Sequence, residues 1–321
     1  MDDRWKKLGA ITVGLAVGAA FLVLAFRGTS AAAVWSALRN GHWSLFGPVV
    51  LAGTAAFIYA KTARWRLLLG SPAGLTVGWL AKPVLAGLAL NALVPHSGEF
   101  VRAISLQRTR GNAASAVLSS IVAERVFDLF GVLIVGAVAL GFVPTTVAMA
   151  VALRLLAVTA GILATGVVAA LVLPGWVESV ARFVARVLPG RAQAWILRQV
   201  REALSGLEPV RSLGTATIVM LWSLIQWIAV SVCVYGCARV IGFDPGFAAP
   251  GLVVVGIVVA FLLPNAPGYA GSVQIAFLYA LRPLGVAEDA ALAASIVYQL
   301  LMVLPFIVFG LLSLRVSLAK R

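Results

Sequence analysis

The sequence predicts an all-α, polytopic integral membrane bundle: about six full spans plus two re-entrant hairpins broken by Pro and Gly, eight hydrophobic segments in all. Three observations predict it. Of 321 residues, 62% are hydrophobic and 11% charged, where a soluble domain carries about 25% charged residues. Mean hydropathy is +1.03. The apolar runs alternate with short basic stretches, and two of them are interrupted by Pro and Gly beside polar residues. The net charge of +14 sits mostly in those short stretches. That placement is the positive-inside pattern, so it points to membrane lipids with anionic headgroups as partners and away from nucleic acid.

In chain order, Leu8–Phe26 is long enough to cross once and reads as a retained signal-anchor, with Arg4, Lys6 and Lys7 on the cytoplasmic side. Ala31–Asn40 is an expected interfacial helix on the far side, and Trp43 marks the next boundary. Leu45–Tyr59 returns to the cytoplasm, where Lys61, Arg64, Trp65 and Arg66 are expected. Leu75–Leu93 has basic clusters on both flanks, which a hairpin satisfies and a crossing does not. Val117–Phe142 then runs outward, and Arg154–Leu173 returns after an interfacial turn at Pro144–Ala150.

Trp176–Arg211 alternates six arginines with Val, Leu, Phe and Trp, the pattern of an amphipathic basic linker on the inner leaflet. It separates a first half, 1–174, from a second, 212–321, within one transmembrane domain, 1–321. Leu213–Ile241 crosses outward to a turn at Asp244-Pro245. Leu252–Leu281 is broken at Pro264 to Gly271 and enters from outside; Ala291–Leu312 is the last span. Both termini are then cytoplasmic. One broken hairpin per half, each from its own face, is the hydropathy pattern of an inverted repeat and of a transporter's midplane site.

The chemistry-bearing residues sit at these breaks. Asn91, Pro95, Gly98, Glu99 and Arg102 form the first; Glu99 and Arg102 share a helical face. They read as a cavity-lining pair, Arg102 offering its fork to a phosphate while Glu99 orients it or carries a proton, or else as a pair that closes a loop. Glu124, Arg125 and Asp128 open the following span; Glu124 and Asp128 share a face, and Arg125 is placed to pair with Asp128. An Arg102–Glu124 or Arg102–Asp128 bridge would fix the hairpin to that span. Asn265, Pro267, Gly268, Gly271 and Gln274 form the second, neutral break, a hydrogen-bonding grip or a packing hairpin. Gln299 reads as an interhelical hydrogen bond. Cys233 and Cys237 share a face with no histidine near and read as filler. No catalytic residue, metal or cofactor is expected.

Three ordered motifs carry a family resemblance: N-x-x-x-P-x-x-G-E-x-x-R (Asn91, Pro95, Gly98, Glu99, Arg102), E-R-x-x-D (Glu124, Arg125, Asp128) and P-x-x-P-G-x-x-G (Pro264, Pro267, Gly268, Gly271). Together they resemble the membrane domain of lysylphosphatidylglycerol synthases, also called the flippase-like domain family, over nearly the whole chain. The resemblance implies a bundle in the bacterial inner membrane that moves lipids between leaflets. It also implies two departures, since many members carry Glu where this chain has Gln274 and Arg where it has Gln299. No aminoacyl-transferase domain follows Leu312 in this sequence, so lipid synthesis is not expected. The expected function is a flippase or scramblase for an anionic phospholipid or a polyprenyl-phosphate-linked glycolipid. Two alternatives stand beside it: a scaffold recruiting a lipid-modifying enzyme through Trp176–Arg211, and a membrane enzyme acting on lipid phosphates.

Overall fold

The computed structural model describes residues 23, 30–71, 74–94, 97–143, 146–187, 189–262 and 266–318. The expected span Leu8–Phe26 therefore lies, but for Val23, outside the described residues, as do Pro95, Pro144, Pro264 and Asn265. Every regular element among the described residues is helical.

Helix α1, Ala31–Arg39, starts at Ser30, whose hydroxyl accepts the Ala33 amide at 3.3 Å. Helix α2, Trp43–Leu68, runs well past the expected end at Tyr59. No Gly or Pro interrupts the chain between Tyr59 and Gly70, and Gly70, at φ +76°, is the first residue suited to stopping a helix. Next come α3, Val77–Leu93, and α4, Ser97–Arg110, followed by α5, Ala114–Leu140, and α6, Val147–Val172. Trp176–Arg211 folds as two surface helices, α7 (Pro174–Ala185) and α8 (Gly190–Ser205), with a short turn at Glu208–Arg211. Helices α9, Leu213–Ile241, α10, Ala248–Phe261, and α11, Ser272–Leu281, lead to α12, Glu288–Tyr298. A wide π turn, Gln299–Val303, joins α12 to α13, Leu304–Leu318.

Among the described residues, four helices are long and apolar enough to cross a membrane: Trp43–Leu68, Val147–Val172, Leu213–Ile241 and Glu288–Leu314. The 27 residues of α5 span about 40 Å at 1.5 Å per residue, although Glu124, Arg125 and Asp128 interrupt its apolar run. The broken pairs are shorter: 14 and 10 residues for α10 and α11 give about 21 and 15 Å, against a core of roughly 30 Å. Each pair folds back on itself. At the first, Arg110 donates to the Gly74 carbonyl at 3.2 Å, which brings the start of α3 to the end of α4. Near the break, Gly98 lies directly against the Gly87 backbone, a contact that leaves no room for a β-carbon. In the second pair, Gly256 of α10 packs on Ala276 of α11.

The centre of the bundle is α2 against α9, antiparallel. Gly53 meets Cys233, Gly236 meets Val50, and His42 donates its amide to the Val240 carbonyl at 2.7 Å. Small residues at these crossings let two backbones approach where lipid offers no hydrophobic drive between helices. Helix ends gather into two rims. One holds Arg66, which donates to the Leu75 carbonyl at 2.7 Å, Ser115 with Glu202, and Arg211 on the Leu171 carbonyl. The other holds Ser30 with Asp289, His42 with Val240, and the Phe142–Phe247 ring pair.

Gly98→Ala is expected to lower the thermal stability of the detergent-purified protein, by about 1–3 kcal/mol for an overpacked contact. Gly161→Ala, in open space on α6, leaves it unchanged or slightly raised. Equal melting of the two variants would show that the Gly87–Gly98 approach does not hold the first hairpin.

Candidate functional site

Asn91 closes the first break. Its carbonyl oxygen accepts the Gly98 amide at 2.7 Å and its amide donates to Glu99 Oε1 at 3.3 Å, while the Ser97 hydroxyl donates to the Leu90 and Val94 carbonyls. The side chains thus satisfy backbone groups that the interruption leaves open, as a bilayer requires. Helix α4 then carries Glu99 and Arg102 toward α5.

Arg102 does not stand free. Its guanidinium lies 3.9 Å over the centre of the Trp65 ring and bonds Glu124 Oε2 at 2.6 Å. Glu124 also pairs with Lys61 and lies 3.2 Å from Arg64. Asp128, one turn further along α5, takes Arg64 at 2.7 Å, the Gln226 amide at 2.8 Å and Lys61 at 3.9 Å. Ser223 accepts a second bond from Arg64 at 2.7 Å, and Trp65 donates to Ser120 at 3.2 Å. Four helices, α2, α4, α5 and α9, therefore meet at one buried polar cluster. Within it three cations face two carboxylates, and the Nε groups of Arg64 and Arg102 have no protein acceptor.

The expected Arg102–Glu124 bridge is present, and Glu124 and Asp128 share the buried face. Two expected pairings are corrected. Arg125 pairs with Glu99, not with Asp128, because Arg64 already occupies Asp128. Glu99 consequently does not orient Arg102, whose partner is Glu124. The Glu99–Arg125 pair is the accessible one: the Arg125 side chain is 47% exposed, against 6% for Arg102. One Glu99 oxygen, Oε2, is buried without a partner.

Lys61 and Arg64, expected as boundary cations on the cytoplasmic side, also belong to the site: both are buried inside α2. The absence of a Gly or Pro stop before Gly70 was the signal that α2 continues through them. Ser223 and Gln226, polar residues within an apolar span, were the matching signal on α9.

At the second break, Gln274 accepts the Gly271 amide at 2.8 Å and donates to Gln299 at 2.7 Å; Gln299 donates to the Gly268 carbonyl at 3.1 Å. The two residues that depart from the resembled pattern thus pair with each other, and the interhelical bond expected of Gln299 is made. Gly268, Tyr269 and Gly271 all have positive φ, and Tyr269 stacks on Phe261 at 4.1 Å. The turn at Pro267–Tyr269 packs on α3, the first arm of the other broken pair. Pro95 and Asn265, also expected at the breaks, lie outside the described residues.

Glu124→Gln is expected to destabilise the protein strongly, by about 3–5 kcal/mol, because it takes from buried Arg102 its carboxylate partner and from Lys61 its nearer one. Glu288→Gln, whose pairing with Arg282 at 3.4 Å is on the exposed rim, should leave melting unchanged. Equal effects of the two changes in thermal unfolding would contradict the cluster's structural role.

Comparison with known proteins agrees with this architecture. No curated protein and no solved structure matches the chain. The family described as the lysylphosphatidylglycerol synthase TM region matches residues 11–310. The chain is a multi-pass membrane protein that belongs to the lysylphosphatidylglycerol synthase transmembrane family.

Proposed function

We propose that the chain moves an anionic lipid between the leaflets of the bacterial inner membrane, with Glu99 and Arg125 as its headgroup site. The observation that carries this reading is the half-exposed Arg125 guanidinium beside a largely buried carboxylate, at a helix break whose first arm, α3, packs on the turn of the second break. A planar guanidinium suits a phosphate, and the unpartnered Glu99 oxygen suits a hydroxyl or a proton. The seven charged side chains of the site comprise four cations and three carboxylates, an excess that favours an anionic guest.

In this account the broken pairs are re-entrant hairpins. The rim bearing Arg66, Arg110, Arg198, Arg201 and Arg211 faces the cytoplasm, where positive charge accumulates. The exposed Trp176, Phe183 and Trp195 of α7 and α8 enter the interface, and their neighbouring arginines collect anionic headgroups. The buried cluster is the fixed pivot; the Glu99–Arg125 pair is the part a headgroup reaches. The same exposed aromatic face favours a second reading, a scaffold that docks a lipid-modifying enzyme.

Movement of fluorescent phosphatidylglycerol in liposomes tests the proposal. Wild type should accelerate movement, Arg125→Ala should slow it at least roughly tenfold, the loss of one charged contact, and Arg282→Ala should match wild type. Unchanged movement in Arg125→Ala would remove this site. Loss of function on deleting α7 and α8, with Arg125→Ala active, would favour the scaffold.

A further inference from the structure

The helix contacts of the first half recur in the second when the halves are exchanged. Let α2, α3, α4 and α5 correspond to α9, α10, α11 and the α12–α13 rod. The central α2–α9 packing then maps onto itself. The pairing of α3 with α13 becomes that of α10 with α5, and α3–α4 becomes α10–α11. Likewise α4–α5 becomes α11–α12, and α2–α3 becomes α9–α10. The antiparallel packing of α2 on α9 gives the two halves opposite directions.

The correspondence extends to single residues. Glu99 is the third residue of α4, and Gln274 the third of α11. Arg125 is the twelfth residue from the start of α5; Gln299 is the twelfth from the start of α12. Glu99 and Arg125 are 26 positions apart and bonded; Gln274 and Gln299 are 25 apart and bonded. Arg125 and Gln299 are each followed, at the same interval, by a glycine in a helix crossing. Gly136 packs on Val255 of α10, and Gly310 packs on Leu85 and Ala89 of α3.

We propose that Gln274 and Gln299 are the two-fold counterpart of Glu99 and Arg125, and form a second, uncharged headgroup site that takes the hydroxyls of a lipid whose phosphate lies on Arg125. The inference rests on the lipid-carrier reading and narrows its substrate to a phosphodiester bearing uncharged hydroxyls, as in a glycerol or sugar headgroup. Two carboxamides and the Gly268 carbonyl supply both donors and acceptors without a net charge. A hydroxyl can exchange for any of these bonds at little cost, whereas an unpaired ion there would be unfavourable. Gln299 opens the π turn, a distortion that recurs at functional positions in helices. The adjacent turn presents Gly268, Tyr269 and Gly271 in the left-handed region and packs on α3, the first arm of the broken pair that carries Glu99.

The test measures binding separately from transport. Detergent-purified protein is melted with dioctanoyl phosphatidylglycerol or with dioctanoyl phosphatidic acid, which lacks the hydroxyl-bearing group; a bound lipid raises the melting temperature. Wild type should be raised more by phosphatidylglycerol. Gln299→Leu should bring that shift down to the phosphatidic acid value and leave the latter unchanged. Arg125→Met should reduce both shifts by half or more. The double variant Gln274→Glu with Gln299→Arg keeps the interhelical link and should also lose the preference, which guards against misfolding of the leucine variant.

Equal shifts for the two lipids in wild type, no shift with either, or a preference that survives both Gln299 changes would overturn the second site. A preference that depends on Gln299, in protein that moves no lipid in liposomes, would uphold the second site and overturn the carrier reading.

Discussion

Two carboxylates buried among apolar helices constrain everything around them. In a bilayer, Glu124 and Asp128 are stable as anions only with cations in direct contact, and the cations arrive from α2 and α4. Satisfying them fixes α2 against α5 and seats α4 through Arg102; Ser223 and Gln226 bring in α9. The first hairpin is therefore anchored at its α4 arm. Trp65 completes the seat by covering the Arg102 guanidinium on its π face, a contact suited to a cation with unmet donors.

That anchoring divides labour between two neighbouring charge pairs. Arg102 is committed to Glu124 and buried, whereas Arg125, on the adjoining face of α5, reaches the break and remains half-exposed. Consecutive helix positions are rotated by about 100°, so Glu124 and Arg125 face different surroundings although they adjoin in sequence. One holds the fold; in the proposed function the other meets the headgroup. The neutral Gln274–Gln299 pair sits where a π turn meets a positive-φ loop, a departure from regular helix that recurs at functional positions.

The helical class, the two breaks and the shared face of Glu124 and Asp128 were legible in the sequence, because each is a local signal of composition or spacing. Asn91 was legible as part of the break, although its role in capping Gly98 required coordinates. Lys61 and Arg64 were not recognised, because their partners lie 63 and 64 positions away and a basic pair at the end of an apolar run looks like a boundary. Arg125 was assigned the nearer acid by helical spacing; the competing claim of Arg64 on Asp128 comes from another helix and leaves no periodic trace. The same limit applies to the correspondence of the halves. Glu99 and Arg125 share no side-chain charge with Gln274 and Gln299, so the likeness is carried by register and packing.

In the proposed arrangement, two hairpins enter from opposite faces and bring their breaks together. Single cysteines at Thr76, Arg110, Phe247 and Ala287, with Cys233 and Cys237 replaced by alanine, place the open ends of both hairpins. Labelling them with a membrane-impermeant maleimide in right-side-out and inside-out vesicles reads the face directly. The account predicts that positions 76 and 110 label together from the cytoplasmic face and positions 247 and 287 together from the other. Labelling of 76 and 110 from different faces, or of all four from one, would contradict it.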